Sequence, residues 1–207
     1  MIQIERSSVM NLDGAIRGAR NPMNSWDRSD SYYDENGRFV LGPVDIDFGH
    51  RLAVSGSDHR KFLRQVFVSV DIIAPLYWWK EFDTYKVGTV ANSTSTMHKI
   101  HAKAFERDDF SHDRLDEGGL ALLDATVAYL EAERQKFIAN KEDRQSWHNM
   151  IQMLPSSFNQ MRTVTLNYEN LISMYYARRN HKLAEWHTLC DWIAALPYAK
   201  EWILVKD

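Results

Sequence analysis

HRKFLRQVFVSVDIIAPLYWWKEFDTYKVGTVANSTSTMHKIH, residues 59–101, is the stretch that decides the fold, because its character changes three times. From Val66 to Ile72 apolar residues occupy alternate positions, which is typical of a strand with one buried face. Pro75 ends this run and suits the first turn of a helix. The three-residue spacing that follows predicts a helix whose buried face holds Leu76, Trp79 and Phe82.

After Lys86 the chain becomes small and polar, with hydroxyl and amide side chains from Asn92 to Thr96. We expect a loop here. A polar loop held by rigid elements suits the binding of a phosphate or a nucleotide base. The same composition is also typical of an ordinary Ser/Thr-rich connection, so both interpretations stay open.

Composition excludes several classes of function. The chain has 207 residues and a net charge of −3 without a lysine-rich block, so we expect one domain (1–207) and no nucleic-acid partner. Cys190 is the single cysteine, which excludes an internal disulfide and fits a reducing, cytoplasmic setting. The most apolar run, Ile72 to Trp79, is too short to cross a bilayer, so no membrane partner is expected.

The N-terminal region is predicted to hold short elements. Met1 to Val9 is expected to be an edge strand, and Ala15 to Arg20 a short helix. Residues 21–56 are rich in Asn, Ser, Asp and Gly and form a possible insertion, with a turn at residues 34–37. Within it, Phe39–Leu41 and Val44–Phe48 are predicted to be strands of a hairpin around Gly42 and Pro43.

The second half of the chain has helical periodicity. Leu115 to Asn140 repeats apolar residues at steps of three, four and seven, with Glu131 and Glu133 on an exposed face. A second helix is expected from Glu142 to Met153. A long helix is expected from Asn167 to Leu196, with a buried stripe formed by Trp186, Cys190 and Ile193.

The stretch 59–101 resembles the core of the flavin-dependent thymidylate synthases. That family has the signature Arg-His-Arg, two residues, Ser, one residue, Asn-Glu, one residue, Ser, one residue, Arg-Tyr. Here the matching positions are Thr84-Tyr85-Lys86, Thr89, Asn92-Ser93, Ser95 and Met97-His98, with one extra residue before Asn92. Upstream, the family's histidine, strand end and Arg-Gln pair are matched by His59, Ala74-Pro75 and Lys80-Glu81.

A second match follows in the right order. In the family, a Leu-Pro is followed twelve residues later by an Asn–x–Arg–x–Leu helix, and then by an arginine before Ala-Gln-x-Glu. The corresponding residues here are Leu154-Pro155, Asn167, Glu169, Leu171, Arg178-Arg179 and Ala184-Glu185. One inserted residue leaves Arg178 and Arg179 both eligible for the family's arginine.

The resemblance implies a fold, a reaction and an assembly. The fold would be α+β, with a mixed sheet packed against long helices. The reaction would be methylation of dUMP to dTMP, with FAD as cofactor and methylenetetrahydrofolate and NADPH as co-substrates. The assembly would be a homotetramer whose sites lie at subunit junctions. The substrate would contact Glu81, Asn92, Ser93, Ser95 and Arg179, and the flavin would contact His59, Tyr85, Lys86, Thr89, Asn167 and Arg178; no catalytic residue is assigned.

Several departures keep other hypotheses open. Ile151, Met97 and Glu169 stand where the family has arginines. A diverged member would therefore keep the fold and bind a nucleotide or flavin without making thymidylate, and a third hypothesis is a ligand-free oligomeric scaffold. His59 also suits a carbonyl-capping role, and Arg178 and Arg179 a solvated pair. His98 and His101 lack a carboxylate at matching helical spacing, so no metal site is predicted.

Overall fold

The structure is a computed structural model that describes residues 2–205, and it has the α+β class that the sequence predicts. The strands are β1 Gln3–Met10, β2 Tyr32–Tyr33, β3 Phe39–Val40, β4 Phe67–Pro75, β5 Val90–Ser93 and β6 Asn159–Asn167. The helices are α1 Leu12–Arg20, α2 Pro43–Val54, α3 Leu76–Phe82, α4 Glu117–Ala139, α5 Arg144–Met153, α6 Tyr168–Arg178, α7 Ala184–Ala194 and α8 Ala199–Trp202. Short 3-10 helices occupy Asn21–Met23, Trp26–Arg28, Arg60–Gln65 and Arg107–Asp109.

Four strands form a sheet in the order β1-β4-β6-β5, which makes β1 an edge strand as expected. The backbone amide of Leu76 donates to the carbonyl of Phe158 (3.0 Å), and that of Tyr168 donates to the carbonyl of Val66 (3.1 Å). From Val66 to Leu76 the residue numbers along β4 rise, whereas those of the paired residues along β6 fall from Tyr168 to Phe158. The sheet is therefore antiparallel, and the expectation of a mixed sheet was wrong.

The predicted strand and helix of the deciding stretch are confirmed as β4 and α3. Alternate residues from Val66 to Ala74 are buried, as the period of two predicts. Pro75 is the extended N-cap of α3. The buried face of α3 holds Trp78, Trp79 and Phe82, whereas Leu76 is only half-buried. The helix thus buries a wider aromatic stripe than three-residue spacing indicates.

Two strands of the four-stranded sheet were not predicted. Residues 90–93, expected to lie in a loop, form β5, and the amide of Thr94 donates to the carbonyl of Met161 (2.9 Å). The strand lies at a sheet edge and all four of its residues are exposed, so Asn92 and Ser93 are tolerated beside Val90 and Ala91 and no alternating apolar pattern is required. Its neighbour β6 buries Gln160, Val164 and Leu166, which are an even number of positions apart, as in a strand. The sequence does not show this period of two, because polar and apolar side chains are mixed on the buried face.

The chain divides into two compact units. The first comprises Met1–Gln3, Ile72–Thr84 and Asn92–Thr163. Its core packs around α4 and α5, which confirms the two predicted helices, and the buried cluster consists of Ile100, Phe105, Phe110, Leu123, Leu130 and Met150. Glu133, expected on the exposed face of α4, is instead buried, because its carboxylate accepts hydrogen bonds from Lys136 (2.5 Å) and Asn149 (2.8 Å).

The second unit comprises Ile4–Asp71, Tyr85–Ala91 and Val164–Asp207. Here the predicted hairpin was displaced: β2 and β3 pair around the expected turn at residues 34–37, with Tyr32 opposite Val40. The predicted strand Val44–Phe48 lies in helix α2 instead. Pro43 begins this helix, and the carboxylate of Asp30 caps it by accepting from the amides of Val44 (2.9 Å) and Asp45 (3.0 Å).

The long helix expected from Asn167 to Leu196 is two helices, α6 and α7, separated at residues 179–183. Asn167 caps α6 through a reciprocal pair of hydrogen bonds with Asn170 (3.0 and 3.2 Å). The predicted stripe of Trp186, Cys190 and Ile193 is buried, as expected. A polar Asn-His-Lys run after Arg179 interrupts the apolar period and ends the first helix.

Candidate functional site

Three side chains of the second unit form an aromatic and cationic cluster. The Nε atom of Arg178 donates to the hydroxyl oxygen of Tyr85 (2.9 Å). The guanidinium carbon of Arg178 lies 4.6 Å from the ring centroid of Trp186 and 5.6 Å from that of Tyr85. The two rings meet edge to face with centroids 6.0 Å apart. The structure therefore brings Tyr85 and Arg178 together, beside a tryptophan that sequence analysis did not select.

The turn after Tyr85 is fixed against the start of α6. Asn170 donates through Nδ2 to the carbonyl oxygen of Val87 (2.7 Å). Gly88 has φ +75°, and a Cβ atom there would lie 3.0 Å from Nδ2 of Asn167. Only glycine satisfies both the left-handed backbone and this close approach. Asn167, predicted to bind the cofactor, is thus mostly buried and also has a structural role as the α6 cap.

Thr89 lies one residue beyond this turn. Its Oγ1 atom is buried and has no hydrogen-bond partner among residues 2–205. Buried hydroxyls are normally hydrogen-bonded, and an orphaned one indicates a ligand or a water molecule. Lys86, in the same turn, is exposed. Residues 85–89 therefore present a phenol, an ammonium and an unsatisfied hydroxyl.

His59 lies in a separate cleft of about 470 Å³ in the second unit. The polar residues of this cleft are Asp58, His59, Lys61 and Gln65, and its apolar residues are Ala19, Pro22, Met23, Phe48, Leu52 and Phe62, with Gly18 between them. Clefts of this size that mix apolar walls with a few polar groups suit flat organic ligands. Of the sequence-predicted site residues within 2–205, His59 alone lines it.

Arg60, the residue after His59, forms a salt bridge with Glu169. Glu169, at a position where the synthases have an arginine, accepts from Nε of Arg60 at 3.0 and 3.1 Å. Both side chains are largely buried. An arginine therefore remains in this part of the unit, but it is contributed by a residue 109 positions away and it is paired to a carboxylate. Sequence analysis missed the pair because its members are so distant along the chain.

Four of the five predicted substrate-binding residues belong to the first unit, and the fifth, Arg179, belongs to the second. Asn92 and Ser93 are exposed in β5, and Glu81 is half-buried at the end of α3. Oγ of Ser95 accepts from the amides of Met97 (3.3 Å) and His98 (2.9 Å), which closes a local turn. The structure thus places Asn92, Ser93 and Ser95 along one strand and the turn that follows it.

Two positions bear on the missing arginines. Ile151, which stands where the synthases have arginine, packs against the core of the first unit. Arg162, eleven positions further along the chain, donates to Asp83 (2.7 Å) and Gln160 (3.0 Å), and its guanidinium carbon lies 4.3 Å from the ring centroid of Trp79. Its guanidinium is therefore committed to the protein itself.

Arg179 differs from its neighbour Arg178. Arg179 is exposed, and its guanidinium carbon lies 4.9 Å from the ring centroid of Tyr176. Arg178 is half-buried within the cluster described above. A half-buried guanidinium held by an aromatic pair is better organised to receive an anion than a solvated one.

The Cys190 thiol is poorly suited to act as a nucleophile. Burial, followed by the charge of Asp191, raises the pKa of the Cys190 thiol to about 11, which disfavours the thiolate. No group of three or more His, Cys, Asp or Glu within residues 2–205 is arranged to hold a metal ion. In the same range, no helix is long and apolar enough to span a membrane.

No protein-family model matches the chain, and no curated protein matches it by sequence. Among solved structures, thymidylate synthase X (ThyX) from Helicobacter pylori with FAD and dUMP matches over 100% of both chains, with 17% identity and a TM-score of 0.68. A second structure of that enzyme with FAD and dUMP matches over 97% of both chains, with 17% identity and a TM-score of 0.66.

A third structure is that of PolB from Streptomyces cacaoi, a UMP/dUMP methylase bound with 5-Br dUMP. It matches over 97% of this chain and 94% of its own, with 13% identity and a TM-score of 0.63. At these identities the similarity establishes the fold, and it extends over the whole length of the chain. The resemblance of residues 59–101 and 154–186 is thereby confirmed at the level of the fold: the chain has the fold of the flavin-dependent thymidylate synthases.

Proposed function

We propose that this protein is an FAD-dependent enzyme that methylates dUMP to dTMP with methylenetetrahydrofolate and NADPH. The observation that carries the proposal is the match, over the full length of both chains, to a ThyX structure that holds FAD and dUMP. Two independent segments of this sequence carry the same resemblance, in the same order. Fold and motif therefore favour the same reaction class.

The residues of the second unit fit the requirements of a flavin. An isoalloxazine needs aromatic or apolar walls, and a pyrophosphate needs cations and hydrogen-bond donors. Tyr85, Arg178 and Lys86 supply a ring and two cations, and the orphaned hydroxyl of Thr89 supplies a donor. The cleft of His59 supplies apolar walls. We assign these residues, with Asn167 as the fixed cap beside them, to cofactor binding.

A bound flavin would supply the hydride that the methylation requires. The protein's own part is binding and electrostatics. Arg179, Lys80 and Lys86 are exposed cations that neutralise phosphate charge. Asn92, Ser93 and Glu81 provide donors and acceptors for the uracil or the phosphate. Since Oγ of Ser95 already accepts two amide hydrogens, its own proton is left to donate to a ligand oxygen.

The proposal includes an assembly and a compartment. The resemblance implies a homotetramer with sites at subunit junctions, and the residues assigned above would then meet residues of other copies. Cys190 is buried and forms no disulfide, which suits a reducing compartment such as the cytoplasm.

A second candidate function is a diverged methylase or nucleotide-binding protein without thymidylate synthase activity. It is favoured by Ile151, which packs in the core, and by Arg162, whose guanidinium is bound to Asp83. The similarity to a UMP/dUMP methylase supports it as well, since that protein has the same fold. On this alternative the protein would bind flavin but act on a different pyrimidine nucleotide.

The deciding experiment is a visible absorption spectrum of the purified protein with added FAD, followed by titration with dUMP. Stoichiometric flavin whose spectrum shifts with dUMP is the expected result, and turnover of dUMP to dTMP under reducing conditions completes it. Flavin binding with turnover of UMP, or with no turnover of either nucleotide, would favour the second candidate. Absence of flavin binding at tens of micromolar FAD would overturn the first candidate, and absence of both flavin and nucleotide binding would overturn the second.

A further inference from the structure

Helix α4 carries apolar residues on two opposite faces. One face packs into the core of the first unit through Leu123, Val127, Leu130 and Phe137. On the other side, Leu122 and Tyr129 have 70% and 41% of their surface exposed, and Leu115, two residues before the helix begins, has 43%. A surface helix normally has one apolar stripe and one polar face. The second apolar face of α4 therefore calls for a partner.

The exposed face follows a heptad pattern, with large residues at one core position and small residues at the other. The larger residues are Leu115, Leu122, Tyr129 and Lys136, seven positions apart. The small ones are Gly118, Ala125, Ala132 and Ala139, also seven positions apart. All eight are exposed. We call this set the α4 seam.

The α4 seam is complementary to itself when two helices run antiparallel. In an antiparallel pair the two heptad core positions of one helix face the opposite positions of the other, around a two-fold axis. With the axis at the level of Val127 along the helix, Leu122 falls opposite Ala132 of the partner, and Tyr129 opposite Ala125 of the partner. Each large side chain thus meets a small one, which lets the two backbones approach closely.

Charge favours the same arrangement. Lys136, whose side chain is 61% exposed although it donates to Glu133 of its own chain, falls opposite Gly118 of the partner. The first turn of the partner's helix, with Asp116 and Glu117, lies there, so a cation meets two carboxylates. Antiparallel helices also bring opposite ends of their dipoles together. A parallel pair would instead place Lys136 against Lys136 and Tyr129 against Tyr129.

We propose that two copies of this chain associate through the α4 seam as an antiparallel, two-fold helix pair. The observation on which this rests, the large and small rows of one exposed helix face, is independent of the proposed reaction. The partner is a second copy because the face is complementary to itself in both size and charge.

Leu122→Glu tests the seam, and Ile138→Glu is its matched control. Both residues are exposed apolar positions of α4, but Ile138 lies outside the heptad rows. Sedimentation velocity at tens of micromolar protein should give an even number of chains for the native protein and for Ile138→Glu, and half that mass for Leu122→Glu. A monomeric native protein, or a folded Leu122→Glu variant with the native mass, would overturn the proposal. Ala132→Glu replaces Leu122→Glu if circular dichroism shows that the latter is unfolded.

Cross-linking tests the direction of the helices. Ala128→Cys lies beside the proposed two-fold axis, so a short bismaleimide should join two copies. In the antiparallel pair Ala139→Cys lies about 36 Å from its symmetry mate, given a rise of 1.5 Å per residue, and should not be joined. Joining of both variants, or of Ala139→Cys alone, would indicate a parallel pair and refute the proposal. The buried Cys190 should stay unreacted in both.

Discussion

Nε of Arg178 donates a hydrogen bond to the hydroxyl oxygen of Tyr85 across 2.9 Å, although 93 positions separate the two residues in the sequence. The face of the same guanidinium lies over the ring of Trp186. This geometry distinguishes Arg178 from Arg179, which sequence spacing leaves equivalent. Arg178 is held by two aromatic residues, whereas Arg179 is exposed at the end of α6.

We expect Arg178→Ala to weaken FAD binding by roughly 10- to 100-fold, the equivalent of losing one charge-assisted hydrogen bond. Arg178→Lys should recover little, because a lysine keeps the charge but lacks the planar fork that stacks on Trp186. Arg179→Ala is the matched control and should change the FAD dissociation constant less than threefold. Fluorescence titration of FAD measures all three, and equal effects of the two alanine variants would refute the distinction.

Gly88→Ala should destabilise the protein more than Gly37→Ala. Both glycines have nearly the same left-handed backbone, with φ +75° and +73°. An alanine costs about 1–2 kcal/mol in that conformation. At Gly37 nothing lies within 4 Å of the added Cβ, whereas at Gly88 it meets Asn167 and Asn170. Urea unfolding of the two variants therefore separates backbone strain from the contact, and a larger loss at Gly37 would contradict our account of the turn.

Asp45→Ala should lower the free energy of unfolding by about 3–5 kcal/mol, the usual cost of breaking a buried ion pair. The Asp45 carboxylate is fully buried and accepts from Arg20 (2.5 and 2.8 Å), Ser29 (2.5 Å) and Ser31 (2.5 Å). Burial raises the pKa of Asp45, but these hydrogen bonds outweigh it, so that the net pKa is lowered.

Asp47→Ala is the control for Asp45→Ala. Asp47 is paired to Arg51 on the exposed side of the same helix α2 (3.1 Å) and should cost less than about 1 kcal/mol. Urea denaturation of both variants gives the comparison. Similar losses would mean that the Asp45 network does not stabilise residues 21–56 in the way that its geometry indicates.

Glu131 should make stability depend on pH between about 4.5 and 2. Hydrogen bonds from Arg134, followed by burial in the opposite sense and a further bond from Gln135, lower its pKa from 4.5 to about 2. Because the folded-state pKa is the lower one, the stabilisation is complete above pH 4.5 and is lost as the pH falls towards 2. Glu131→Gln should flatten the pH dependence of unfolding in that window, whereas the exposed Glu142→Gln should not. Urea midpoints at pH 3, 5 and 7 provide the test.

The sequence predicted those elements in which one physical signal dominates. Apolar residues at alternate positions predicted β4, and strong helical periodicity predicted α4 and α5. The predictions failed for two elements. Strand β5 is exposed at a sheet edge, and helix α2 begins at Pro43 with a cap from Asp30, thirteen residues earlier. Glu133 looked solvent-exposed because its partner Asn149 lies on another helix.

The sequence by itself determined the fold class and the order of the motifs, since residues 59–101 and 154–186 carry the spacing of the thymidylate synthases. It also determined which side chains are available for binding. Only the tertiary structure decided which of them meet. Long-range contacts pair Arg178 with Tyr85 and Arg60 with Glu169, and commit Arg162 to Asp83. The members of such pairs are many tens of positions apart in the sequence, and local periodicity does not encode contacts at that separation.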